Sequence, residues 1–259
     1  SLVKGFSTSG SVQFDGADDY LTFSGSSDFS FGTGDFTVEW YMLSDDKTAN
    51  GVYNRIFCND GPTGDSNGNL QFNIDEPSGA LTIWKGTSPN VLLGTKNLCD
   101  NKWHHVAVTR SGTTLRIFVD GVQDGSVTNS TNWGTHNSGA PRLHIGSQNG
   151  TGDYDGYLSN FRILKGTALY TSDFSPTYTE LTNLPNTKLL ALQSSSSATA
   201  YTVSPGAITA QGNAAASSTS PGLISPNSLT GSVEFDGNGD YLTVTDSSLN
   251  PGTGDFAIE

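Results

Sequence analysis

The sequence predicts an all-β fold, an antiparallel two-sheet jelly-roll sandwich. Two observations carry that expectation. Gly, Ser, Thr and Asn are abundant while only 14% of the 259 residues are charged, a composition of short strands joined by turns. Apolar residues also recur at alternate positions in short runs, with no helical period, along most of the first 190 residues.

The elements follow in order. In SVQF, Val12 and Phe14 point one way, and Ser11 and Gln13 the other. Asp15-Gly16-Ala17-Asp18-Asp19 supplies turn chemistry, and Tyr20 to Phe23 resumes the extended pattern. In GTGDFTVEW, Phe36, Val38 and Trp40 share one face, while Asp35, Thr37 and Glu39 are expected to face water. That alternation marks a half-buried antiparallel strand. Further strands read at 54–58, 70–74, 80–84 and 104–109. The strand carrying Leu115, Ile117 and Val119 runs into Asp120-Gly121, a two-residue hairpin turn. Leu143 and Ile145 mark another strand, followed by 157–164 and 188–193. Regular short strands with Gly-rich turns mean a sandwich or jelly roll.

From 193 to 230 the chain is rich in Ser, Ala and Pro, with too few large apolar residues for a core of its own. It reads as a linker or a loosely packed extended arm. Then the opening phrase returns: GSVQFDGADDYLTF at Gly10 reappears as GSVEFDGNGDYLTV at Gly231. Over the two alignable blocks, 18 of 26 residue pairs are identical. A period of about 220 residues is too long for a solenoid unit and fits a domain plus its linker. The expected organisation is a domain over 1–192, a linker over 193–230, and the truncated start of a second, homologous repeat over 231–259. Apolar residues of that second copy could pack on a neighbouring chain by strand exchange, or lie along their own domain.

The pieces FDGADDYLTF, GTGDFTVEW, NKWHHVAVTRSGTTLRIFVDGV and LHIG…GYLSNFRI together resemble the laminin-G-like jelly rolls of the concanavalin A-like lectin/glucanase superfamily. The tail GYLSNFRILKGTALYTSDFSP with NTKLLALQS looks more narrowly like repeats in structural proteins of marine tailed bacteriophages; related repeats occur in bacterial surface adhesins. The resemblance implies two packed antiparallel sheets and a carbohydrate- or protein-binding role. It points to a virion or a bacterial cell surface as the location. Glycans, a host cell-surface receptor and other virion or surface subunits are the implied partners.

Several chemistries are disfavoured. The net charge of −13 argues against nucleic acid and anionic membranes. No apolar run nears the roughly 20 residues that span a bilayer. Glucanases of this fold resemble one another in a Glu-x-Asp-x-x-Glu strand, and the five Glu residues here stand far apart. GDSNG, from Gly64 to Gly68, matches a serine-hydrolase pattern but lacks the following helix. On a strand, His104 and His105 point to opposite faces, one expected inward and one at the surface. Cys58 and Cys99 read as two partly buried thiols, or as one bridge if they are neighbours.

Two readings remain for ligands. Ca2+ wants six to eight hard oxygens. Asp65, Asn67 and Asn69 offer them on one loop, and Gln148, Asp153 and Asp155 on another. The resemblance implies a calcium site at the sandwich rim between two such loops; turn formation is the alternative for the same residues. For sugar, Trp133 in a polar loop, Tyr53, Tyr154 and Trp84 are the candidate stacking aromatics. Trp133 could equally fold back as a lid on the sandwich edge. Trp40 and Trp103 read as core.

Overall fold

A computed structural model describes residues 9–44, 54–60, 69–134, 139–148, 150, 152–177 and 179–222. The repeat at 231–259, with the strand exchange expected of it, lies outside the described residues, as do Tyr53, Asp65, Asn67 and the GDSNG loop.

Among the described residues two antiparallel sheets face each other across one core, as expected. The nine-stranded sheet is built on β3 (Phe36–Leu43), β8 (His104–Ser111), β9 (Thr114–Val119) and β12 (Asp155–Lys165). It continues on one side to β10 (Val122–Thr128) and on the other to β1 (Ser11–Asp15), with β13 (Thr187–Ala191) beside β12. The seven-stranded sheet is ordered through β2 (Tyr20–Phe23), β11 (Arg142–Ile145), β4 (Asn54–Asp60), β5 (Leu70–Ile74), β6 (Leu81–Lys85) and β7 (Ser88–Leu93). Alternation dictates the core. Trp40 stacks between Phe72 and Phe161 with ring centroids 5.6 Å apart in each case, joining the two sheets. The Asp120-Gly121 hairpin has positive φ at both residues, 51° and 80°, as its turn type demands.

The Ser/Ala-rich stretch corrects an expectation. Residues 193–230 are not simply a connector, because three strands form within them: β14 (Tyr201–Val203), β15 (Ile208–Gln211) and β16 (Ala215–Ser217). β15 pairs with β2 in one sheet, and β16 pairs with β1 in the other. The arm needs no core of its own because Ile208 enters the shared one. Its small residues suit an edge strand, where backbone hydrogen bonds do the holding.

Candidate functional site

The seven-stranded sheet carries a polar outer face. In β5, Leu70, Phe72 and Ile74 enter the core, so Gln71 and Asn73 turn outward. Strand register then lines up Thr209, Thr22, His144, Cys58, Gln71 and Trp84 as one row across six strands. Arg55, Asn73 and Thr82 make a second row, and Arg142 stands opposite Asp60. The row is open at one flank, where Thr209 is exposed and Thr22 and Tyr20 half-buried. It sinks towards β4, β5 and β6, where His144 is 1% and Gln71 3% exposed.

The sunken groups are only partly paired. Gln71 donates its amide to the Gly86 carbonyl at 3.1 Å, while its Oε1 has no partner among the described residues. Asn73 Oδ1 accepts from Arg55 Nε at 3.1 Å, and its Nδ2 has none. His144 Nε2 lies 3.2 Å from Asp60 Oδ1, and its Nδ1 is likewise unpaired. Each buried polar atom left unpaired costs about 1–3 kcal/mol. One acceptor, one donor and one imidazole nitrogen on a single face match a ligand rich in hydroxyls, which both donate and accept. Burial also pushes the Cys58 thiol in this row well up, so it stays protonated.

The outer face of the other sheet is closed. Glu39 accepts from Arg162 Nε at 2.8 Å and from Tyr170 Oη at 2.8 Å, and sits 3.2 Å from His105 Nε2. Burial pushes this carboxyl up, but the His105 hydrogen bond and the Arg162 charge outweigh it and hold the pKa below the ordinary value. Residues 166–182 run over this network. Thr37 and Thr109 donate to the Thr167 and Tyr170 carbonyls, and Arg162 to that of Thr182. Tyr170 and Phe174 stack at 3.6 Å above His105. The surface place expected for one histidine is therefore corrected: both are buried, on opposite faces. His104 lies at 2.8 Å from Asp120 and 3.0 Å from Asp100.

The aromatic candidates fare unevenly. Trp133 is fully buried, bridged by its backbone to Gly32, so it closes the sandwich edge and does not stack on a sugar. Tyr154 is also fully buried, donating its hydroxyl to the Leu43 carbonyl at 3.1 Å. Trp84 alone of the described candidates lies on the polar face, 9% exposed. Trp103 is half-buried against Tyr157 rather than in the core. Cys58 and Cys99 are buried and unbridged.

The described ends of the two loops expected to hold calcium lie apart. Asn69 lies at the end of β4, where Asn59 Oδ1 accepts from the next backbone N–H, that of Leu70. The loop of Gln148, Asp153 and Asp155 lies at the start of β4, where the Arg55 N–H donates to the Gly152 carbonyl. Five residues of strand, about 17 Å, separate the two ends. The carboxylates that do converge, those of Asp15, Asp18 and Asp19, lie within 4.8 Å on the first turn. Asp19 there is 1% exposed and spends its oxygens on the Asp15 and Asn213 backbone N–H groups, so it serves the turn and the arm.

The lectin-type sandwich and its polar face define the class, and sequence comparison gives the family. A model of the concanavalin A-like lectin/glucanases superfamily matches residues 15–171, and the chain belongs to that superfamily. A search of curated proteins finds no match. Among solved structures, a putative carbohydrate-binding protein from Bacteroides ovatus is similar at 16% identity and TM-score 0.56. That match covers 81% of this chain and 59% of that one, less than two-thirds of its length. A pentraxin from Limulus polyphemus matches at 17% identity and TM-score 0.47, over 63% of this chain and 78% of that one. The sialidase carbohydrate-binding module of Ruminococcus gnavus matches at 11% identity and TM-score 0.49, over 62% and 91%.

Proposed function

We propose that this chain is a non-catalytic carbohydrate-binding module, taking an oligosaccharide along the outer face of its seven-stranded sheet. The observation that carries the reading is the set of buried, incompletely paired polar atoms on Gln71, Asn73 and His144. Sugar hydroxyls satisfy such atoms in both directions. The ligand approaches over Thr22, Tyr20 and the Arg142 side chain, which is 34% exposed, and Trp84 closes the far end. The row from His144 to Gln71 spans two strand spacings, roughly 10 Å, a length suited to more than one sugar ring.

The Bacteroides ovatus protein, whose name gives it a putative carbohydrate-binding role, is consistent with this reading. The resemblance read from the sequence at 156–176 and 186–194 to phage and adhesin repeats motivates a finer one. The module would then recur along a virion appendage or a bacterial surface protein and touch host-surface glycans. The only glutamate on the closed sheet's strands, Glu39, is fully buried beneath 166–182, which supports a binding rather than a hydrolytic role. A glycan array probed with the whole chain, beside an assay for released reducing sugar, tests both parts. Array hits with no release are expected. A flat array defeats binding, leaving a structural spacer; release of sugar defeats the non-catalytic reading.

A further inference from the structure

The arm does more than cover an edge: it widens the polar face. β15 is the edge strand of the seven-stranded sheet, and its Ile208, Thr209, Ala210 and Gln211 pair with Phe23, Thr22, Leu21 and Tyr20 of β2. Ile208 enters the core and Ala210 packs against it. Alternation therefore turns Thr209 and Gln211 outward, beside Thr22 and Tyr20. Thr209 is exposed, and Gln211, Thr22 and Tyr20 are half-buried. The Tyr20 ring leans at 53° on the His144 imidazole, with centroids 5.7 Å apart. The open flank thus runs directly into the buried part of the row.

This flank is held in place at both ends. Ile208 anchors one end in the core. At the other, the Asn213 N–H donates to Asp19 Oδ1 at 2.6 Å, and Gly212 takes φ 64° where a Cβ would lie 2.5 Å from the same oxygen. A side chain on such a strand is presented more rigidly than one on a loop. Length and charge then define what fits. From Thr209 to His144 is two strand spacings, roughly 10 Å, as far again as from His144 to Gln71. A ligand that occupies both halves is longer than a disaccharide. The outward groups of the flank are two hydroxyls, an amide and a phenol, all uncharged. The carboxylates of Asp15, Asp18 and Asp19 converge within 4.8 Å on the turn before β2, and a Cβ on Gly212 would lie 2.7 Å from Asp18 Oδ1. An anionic sugar next to Gln211 would meet like charge there. Further along the face, the Arg142 cation already lies 3.6 Å from Asp60.

We propose that β15 is part of the ligand surface, and that the module takes a neutral, unbranched oligosaccharide longer than a disaccharide, lying across the strands with its outer end on Thr209, Gln211 and Tyr20. This rests on the outer-face reading above and adds to it a substrate class and an outer subsite. The Tyr20 ring offers an apolar face to a sugar ring, and Thr209, Thr22 and Gln211 offer donors and acceptors to its hydroxyls.

Calorimetric titration of the full chain with cello-, manno-, xylo- and malto-oligosaccharides, from disaccharide to hexasaccharide, tests this. Oligogalacturonides of the same lengths are the acidic probes. In at least one neutral series the affinity should rise about tenfold or more from disaccharide to hexasaccharide, and the acidic series should bind more weakly. Thr209→Val with Gln211→Met, outward on the edge strand and shown to be folded by a melting curve, should cut that ratio to about threefold or less. Thr209→Val alone, which keeps the side chain's shape, should move the ratio the same way. Equal affinity for disaccharide and hexasaccharide would overturn this proposal and leave the module a glycan binder. So would a ratio retained in the folded double variant, or tighter binding of the oligogalacturonides. Array hits confined to charged or branched glycans, with no binding in any neutral series, would overturn it as well. A flat array would overturn it together with the binding reading.

Discussion

At the scale of single residues, groups that hold the fold stand apart from the unpaired polar groups proposed to meet a ligand. Glu39 belongs to the first kind. Arg162→Met would strip its charge partner and leave a buried carboxylate, so it should cost about 3–5 kcal/mol in urea unfolding. Trp133 is also of the first kind: Trp133→Ala should cost about 3–5 kcal/mol as a cavity at the sandwich edge, measured in the same way. A polar loop sequence around a tryptophan does not say whether the ring turns in or out, and here it turned in. Asp100 gives a pH test. Hydrogen bonds from His104, then Lys102, hold its carboxyl at about 2, below the ordinary 3.8. Its contribution is whole above the unfolded value and is lost as the pH falls from about 4 towards 2. Thermal melts across that window should show a shallower acid loss for Asp100→Asn than for the native protein.

At the scale of elements, alternation made most strands legible. In LQFNI and FTVEW alternation marked the core face. The second face of FTVEW, expected to meet water, is corrected: Thr37 and Glu39 are fully buried, because Thr167, Tyr170 and Arg162 cover and pair with them. The arm was harder, since β14 to β16 are short and mostly small-residue, and what holds them is backbone pairing to strands nearly 200 residues earlier. The polar face was legible only in part. Gln71 and Asn73 could be read as outward, but their alignment with His144 depends on register across β4 and β11, which no single strand encodes. The two acidic loops show the same dependence: composition named them, and only topology puts their described ends at opposite ends of β4. The arm's structural weight is measurable. Gly212→Ala should lower stability by more than about 1 kcal/mol, through its positive φ and the approach to Asp19. A chain ending at Gln193 should melt lower than one ending at Gly222. It should also associate in size-exclusion chromatography, because the edges of β1 and β2 lose their cover.

At the scale of the whole molecule, the two sheets differ in what lies outside them. Residues 166–177 and 179–182 close the nine-stranded sheet over a charged network in which Glu39, Arg162 and Tyr170 are paired and His105 Nδ1 is not. The seven-stranded sheet presents a polar row whose buried members retain unspent hydrogen-bonding capacity. The proposed ligand surface rests on that concentration of unpaired polar atoms in the second sheet. The proposed contacts on Gln71, Asn73 and His144 use no metal, so binding there should survive a chelator, in contrast to a rim site bridged by calcium. The most direct measurement is calorimetric titration of the best array glycan into the native chain, Gln71→Ala and His144→Ala, each shown to be folded by its melting curve. The account predicts binding by the native chain and a loss of about tenfold in affinity for each variant. Undiminished affinity in both folded variants would contradict it.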